Sequence, residues 1–102
     1  MGEQPSTKPV PGHDAIVKLV TAFHPEARLY LFGSFAKGTN RDPSDIDIAI
    51  DIGRRLGWRE VSFLENLFAA LPIAQTVDLV DMHAIPDSFK QTILKTGLVW
   101  KP

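Results

Sequence analysis

Along the first third of the chain the apolar residues Ile16, Val17, Leu19, Val20 and Phe23 recur at helical spacing, with Lys18 and Thr21 left for the wet side. The pattern predicts a helix from His13, and Pro25, which has no amide hydrogen to continue the ladder, ends it. Leu29-Tyr30-Leu31-Phe32 is short, densely apolar and closed by Gly33-Ser34, which suits a buried strand better than a helix. A short segment able to begin a helix then leads into the loop Gly38-Thr39-Asn40-Arg41-Asp42-Pro43-Ser44. Beyond it, polar or small residues alternate with isoleucine from Asp45 to Asp51, the period of a strand. A basic, glycine-flanked linker, Gly53 to Gly57, precedes a second helical face of Val61, Leu64, Leu67, Phe68 and Leu71 that Pro72 closes. Thr76 to Asp81 alternates again and predicts a third strand. Phe89, Ile93 and Leu94 mark a last helix capped near Gly97, and Leu98-Val99-Trp100 can add a short edge strand. Strands separated by helices predict an α/β (α+β-like) fold, a small mixed sheet with helices over one face.

The chain has 102 residues, the length of a single domain. We expect residues 1–12, rich in Pro, Ser, Thr and Lys, to form a flexible tail and residues 13–102 to form the domain. Cysteine is absent, which excludes thiol catalysis, cysteine-ligated zinc and iron–sulfur chemistry and suits a reducing, cytoplasmic setting. The formal charge of −1 argues against direct binding of nucleic acid, which ordinarily needs a strongly basic face. No apolar run approaches the roughly 20 residues that span a bilayer, so no membrane partner is expected. His13, His24 and His83 are scattered, without metal-ligand spacing. Asp14, Glu26, Glu60, Glu65 and Asp87 read as helix-start charges or solvated faces, and Trp58 and Trp100 as edges of the core.

The second strand carries the distinctive chemistry. Successive side chains point to opposite faces, so Asp45 and Asp47 share one side while Ile46, Ile48 and Ile50 take the other. Two carboxylates about 6–7 Å apart repel one another unless something positive lies between them. Hard oxygen donors favour magnesium, or manganese, over softer metals. In the third strand Asp78 has the parity of the acidic side, so neighbouring strands would gather Asp45, Asp47 and Asp78 into a cluster able to hold two cations. Asp81, of opposite parity, is expected at a solvated strand end. Upstream, Gly33 lets backbone amides come close to a phosphate, Ser34 adds a hydroxyl, and Lys37 offers a compact charge to a polyphosphate. The plain alternatives are an exposed acidic strand face and a solvated surface lysine.

Gly33-Ser34, ten residues, then Asp45-Ile46-Asp47 resembles the signature of the nucleotidyltransferase superfamily related to DNA polymerase β. With the apolar strand before it and Val77-Asp78-Leu79-Val80-Asp81 after it, the stretch from Ile16 to Trp100 resembles the minimal nucleotidyltransferases. The resemblance implies a nucleotidyltransferase fold and an enzyme that moves a nucleotide, AMP from ATP, to a hydroxyl with two Mg²⁺ ions. It further implies that Asp45 and Asp47 bind both metals, that Asp78 binds the catalytic metal and prepares the acceptor, and that Gly33 and Ser34 contact phosphate. Phe35 departs from the pattern, because many members carry arginine there; Lys37 and nearby Arg41, Arg54 or Arg55 are the basic residues that could compensate. Members often act as the antitoxin of a toxin–antitoxin pair, attaching AMP to a tyrosine of a helical HEPN ribonuclease. A module that neutralises its partner by contact alone is the alternative that Phe35 keeps open.

Overall fold

Three isoleucines set the middle of the molecule. In the computed structural model, which describes residues 10–41 and 45–102, Ile46, Ile48 and Ile50 are fully buried along one face of β2 (Ile46–Asp51). Residues 1–9 of the expected tail and Asp42, Pro43 and Ser44 of the expected loop lie outside the described residues. Val10 rests against the core, and Gly12 is the residue from which α1 (His13–Phe23) starts.

On one side of β2 runs β1 (Arg28–Phe32), antiparallel, with Leu29 opposite Ile50 and Leu31 opposite Ile48. On the other side β3 (Val77–Asp81) is parallel, with Asp47 opposite Asp78. The expected edge strand forms as β4 (Leu98–Lys101), antiparallel to β1, so the mixed sheet has the order β3-β2-β1-β4. The Lys101 ammonium fastens β4 by donating to the carbonyl oxygens of Pro25 and Ala27, at 2.8 and 2.7 Å.

Two helices cover the isoleucine face as the periodicity predicts. Ile16 and Val20 of α1 and Leu64 and Phe68 of α3 (Trp58–Ala69) close over Leu29, Leu31 and the three isoleucines. Each such side chain contributes about 1.5–3 kcal/mol by leaving water. At the start of α3, Glu60 accepts the Gly57 amide at 2.8 Å and a two-pronged bond from Arg54 at 3.0 and 2.9 Å. The Arg54 bond, then the Gly57 amide, pull the Glu60 pKa down to about 2.

The helices are not confined to one face. α4 (Asp87–Thr96) lies over the second face, where Ile93 packs with Ala49, Met82, Tyr30, Phe32 and Ile85. The reason is in β1, whose second-face residues Tyr30 and Phe32 are apolar and need covering. Gly97 caps α4 by allowing close approach and not by a left-handed turn: its φ is −80°, and a Cβ there would stand 2.6 Å from the Ile93 carbonyl oxygen and 2.9 Å from that of Leu31.

Two expectations about single residues are overturned. Asp81 is not solvated: it is 9% exposed and accepts the amides of Leu56 at 2.7 Å and His83 at 2.9 Å. Its parity points it toward the core side, where a carboxylate persists only with such donors. Trp58 is not at a core edge but 73% exposed beneath the Arg59 guanidinium, because it sits on the outer side of the first turn of α3. Trp100 does pack against the core, edge-on to His13. Among the described residues no helix is long and apolar enough to cross a membrane.

Candidate functional site

The parallel pairing of β2 with β3 decides where the acidic residues meet. Asp47 and Asp78 are register partners, and directly opposed residues share a sheet face, so their side chains stand side by side. Asp45 lies one residue before β2, exposed, with the same parity. The three carboxylates act on one another. Burial, then the charges of Asp78 and Asp45, push the Asp47 carboxyl above the usual carboxylate range. Burial, then the charge of Asp45 and a hydrogen bond shared with it, raise Asp78 as well.

Gly33 abuts this pair and has φ +77° at the turn from β1 into α2 (Gly33–Lys37). A Cβ on Gly33 would overlap an oxygen of Asp47 and stand 3.0 Å from its carboxyl carbon. Only glycine satisfies both the backbone conformation and the contact. The sequence singles out Gly33 for its freedom to approach a ligand; what it approaches in the structure is the Asp47 carboxylate. Phe32, opposite Asp47 in the β1–β2 register, puts an apolar ring on the same face, flanked edge-on by Phe89 of α4. Sequence reasoning missed this aromatic border, although the parity of Phe32 could have revealed it.

The remaining candidates divide. Ser34 is half-buried in the first turn of α2, and its carbonyl oxygen accepts the Thr39 amide at 3.0 Å. Lys37 is exposed in the last turn of the same helix. Phe35 packs against the main core, so that position serves packing. Arg54 and Arg55 follow the far end of β2, away from Asp45 and Asp47, and Arg54 is already held by Glu60. Neither stands where a phosphate beside Gly33 would need it.

Among the described residues no three Asp, Glu, His or Cys side chains form a ready-made metal cage. The donor set nevertheless fits a hard divalent cation. Its carboxylates are brought together on one face at a cost first in burial and then in repulsion, expressed in the raised proton affinity of two of them. A cation between them offsets that repulsion, and all-oxygen ligands are those magnesium and manganese take.

The chain as a whole is similar to known proteins. The model of the family described as polymerase beta, nucleotidyltransferase matches residues 16–100. Among solved structures, the chain is similar to one in a toxin–antitoxin crystal structure with AMP-PNP, at 30% identity and a TM-score of 0.76, covering 86% of this chain and 71% of that one. It is also similar to a chain in the structure of a tri-AMPylated HEPN toxin from Shewanella oneidensis in complex with its MNT antitoxin, at 27% identity and a TM-score of 0.68, covering 87% and 68%. Among curated proteins none matches.

Proposed function

The chain belongs to the polymerase β nucleotidyltransferase family, and from that premise we propose that it transfers AMP from ATP to a hydroxyl on a HEPN-type partner protein, acting as the antitoxin of a toxin–antitoxin pair. The observation that carries the site assignment is the pairing of Asp47 with Asp78 on one face, pressed against the Gly33 turn. Similarity to toxin–antitoxin structures, one with AMP-PNP and one with an AMPylated toxin, supports the donor and the partner.

In this reading the Gly33 and Ser34 turn receives the distal phosphates and Lys37 neutralises part of their charge. Asp45, Asp47 and Asp78 are the ligands for two divalent cations, which would polarise the α-phosphate and offset the charge that grows during transfer. Asp78 accepts a hydrogen bond from the acceptor hydroxyl, aligns its oxygen with the α-phosphorus and receives its proton. The new bond joins that oxygen to phosphorus, the bond to the β-phosphate breaks, and pyrophosphate leaves.

Intact-mass spectrometry of the partner after co-expression tests the proposal. The parent chain is expected to add one or more adenylyl groups, and Asp45→Asn, Asp47→Asn and Asp78→Asn to add none while keeping the parent circular dichroism. Phe35, packed against the core where relatives of this type often carry arginine, favours a second reading in which the chain neutralises its partner by contact alone. A partner that is inhibited but unmodified by the parent chain supports that reading and rejects the first.

A further inference from the structure

The third strand ends the sheet: among the described residues its one strand neighbour is β2. The Thr76 carbonyl accepts the Ile46 amide at 2.8 Å, and the Met82 amide donates to the Ile50 carbonyl at 2.9 Å. In a parallel ladder every second residue bonds to the same neighbour, so Thr76, Asp78, Val80 and Met82 turn their backbone toward β2. Val77 and Leu79 turn theirs to the outer edge. Beside the start of that edge lies a groove of about 510 Å³ between the C-terminal half of α3 and β3, lined among others by Glu65, Phe68, Leu71, Ile73, Val77 and Asp78. The groove thus reaches the residue assigned to the acceptor hydroxyl. Its lining carries two carboxylates, Glu65 and Asp78, and no basic side chain.

We propose that this edge and groove are the acceptor site: an extended segment of the acceptor protein adds to β3 as a further strand and delivers a hydroxyl-bearing side chain opposite Asp78. The inference rests on the transferase reading above and says where and in what form the acceptor binds. A strand edge that pairs with no further strand is a template for another chain, with backbone bonds giving affinity and alternate side chains giving specificity. A residue opposite Asp78 shares its face, with Cβ atoms about 5 Å apart, so its hydroxyl arrives on the carboxylate side. The residues immediately before and after it point to the other face, where Phe68, Leu71 and Val77 line the groove. The site therefore selects a hydroxyl residue between two apolar ones, with a basic residue nearby to match Glu65. A free small hydroxyl compound can use neither the strand edge nor the apolar flanks.

The probe is a short synthetic peptide with Val-Tyr-Val at its centre and lysine at either end, added with Mg²⁺ and labelled ATP, or with AMP-PNP for binding. The proposal expects amide hydrogen exchange at Val77 and Leu79 to slow when the peptide binds. It expects labelling at least tenfold faster than for the same peptide with Glu-Tyr-Glu, or for free tyrosine. Ala69→Trp, which fills the groove, is expected to slow peptide labelling at least tenfold with AMP-PNP affinity unchanged; the flank comparison needs no variant and stands if that protein does not fold. The proposal is overturned if the peptide leaves both amides unprotected, if glutamate flanks serve as well as valine, or if free tyrosine is labelled as fast. A protein that fails to bind AMP-PNP counts instead against the transferase reading, whereas one that binds it but leaves β3 unprotected counts against the acceptor edge alone.

Discussion

Asp47 and Asp78 set stability against function. Their raised pKa values mean that the folded chain holds protons there more readily than the unfolded chain. Their favourable contribution is present below the ordinary carboxylate range and is lost as pH rises through the raised values. At neutral pH the metal-free protein therefore carries the cost of their burial and of their repulsion. Asp47→Asn is predicted to raise its melting temperature slightly while abolishing AMP transfer, and scanning calorimetry beside a transfer assay checks both signs. Gly33→Ala should lower both, costing about 1–2 kcal/mol for the left-handed backbone and displacing the Asp47 carboxylate. Asp51 has the opposite sign. Burial opposes its ionisation, but the Gly53 amide at 2.8 Å and the His83 ring at 2.7 Å outweigh burial and hold its carboxyl below the usual range. That stabilisation is present at neutral pH and lost as pH falls through the lowered value, so Asp51→Asn should flatten the acid side of a urea-midpoint profile. Strand parity alone misplaces Asp81, because it indicates a side but not the donors waiting there. The missing hint was local, an aspartate bonding the amide two residues on, as in an Asx turn. Replacing it with alanine strands the buried Leu56 amide, and equilibrium unfolding should register a loss of about 2 kcal/mol.

At the scale of elements, periodicity was enough wherever one face met one core. The helix faces around Ile16 and Val20 and around Leu64 and Phe68, and the alternation of Ile46, Ile48 and Ile50, appear as the sequence predicts. Leu64→Ala should cost about 2–5 kcal/mol in chemical unfolding, against no more than about 0.5 kcal/mol for the exposed Trp58→Ala. What the pattern did not reveal was α4 on the second face. Its apolar positions, Phe89, Ile93 and Leu94, give a narrow stripe of which Ile93 alone is buried, and such a stripe does not say which side of a sheet it will meet. Tyr30 and Phe32 decide that, through a contact between distant parts of the chain. A three-carboxylate cluster likewise needs β2 and β3 to be neighbours, and nothing in the pattern of either strand fixes that pairing. Alternation puts Asp45 and Asp47 on one face, but only the register Asp47 to Asp78 brings the third carboxylate beside them.

Taken whole, the molecule assigns its faces different tasks. Two helices and the isoleucine row hold the fold together, the opposite face gathers the charges beside the Gly33 turn, and the outer β3 edge leads away from Asp78. The acidic motif and its glycine were legible because chemistry fixed both residue type and spacing. The groove was not, since it arises between α3 and β3 only once they pack. The central claim is that Asp45, Asp47 and Asp78 make a cation-dependent AMP-transfer centre. It is tested most directly with purified chain, purified HEPN partner and labelled ATP as Mg²⁺ is titrated. Label should enter the partner only with the cation, stop on adding EDTA, and never appear with Asp47→Asn at any Mg²⁺ concentration; transfer that persists in EDTA, or in that variant, would contradict the account.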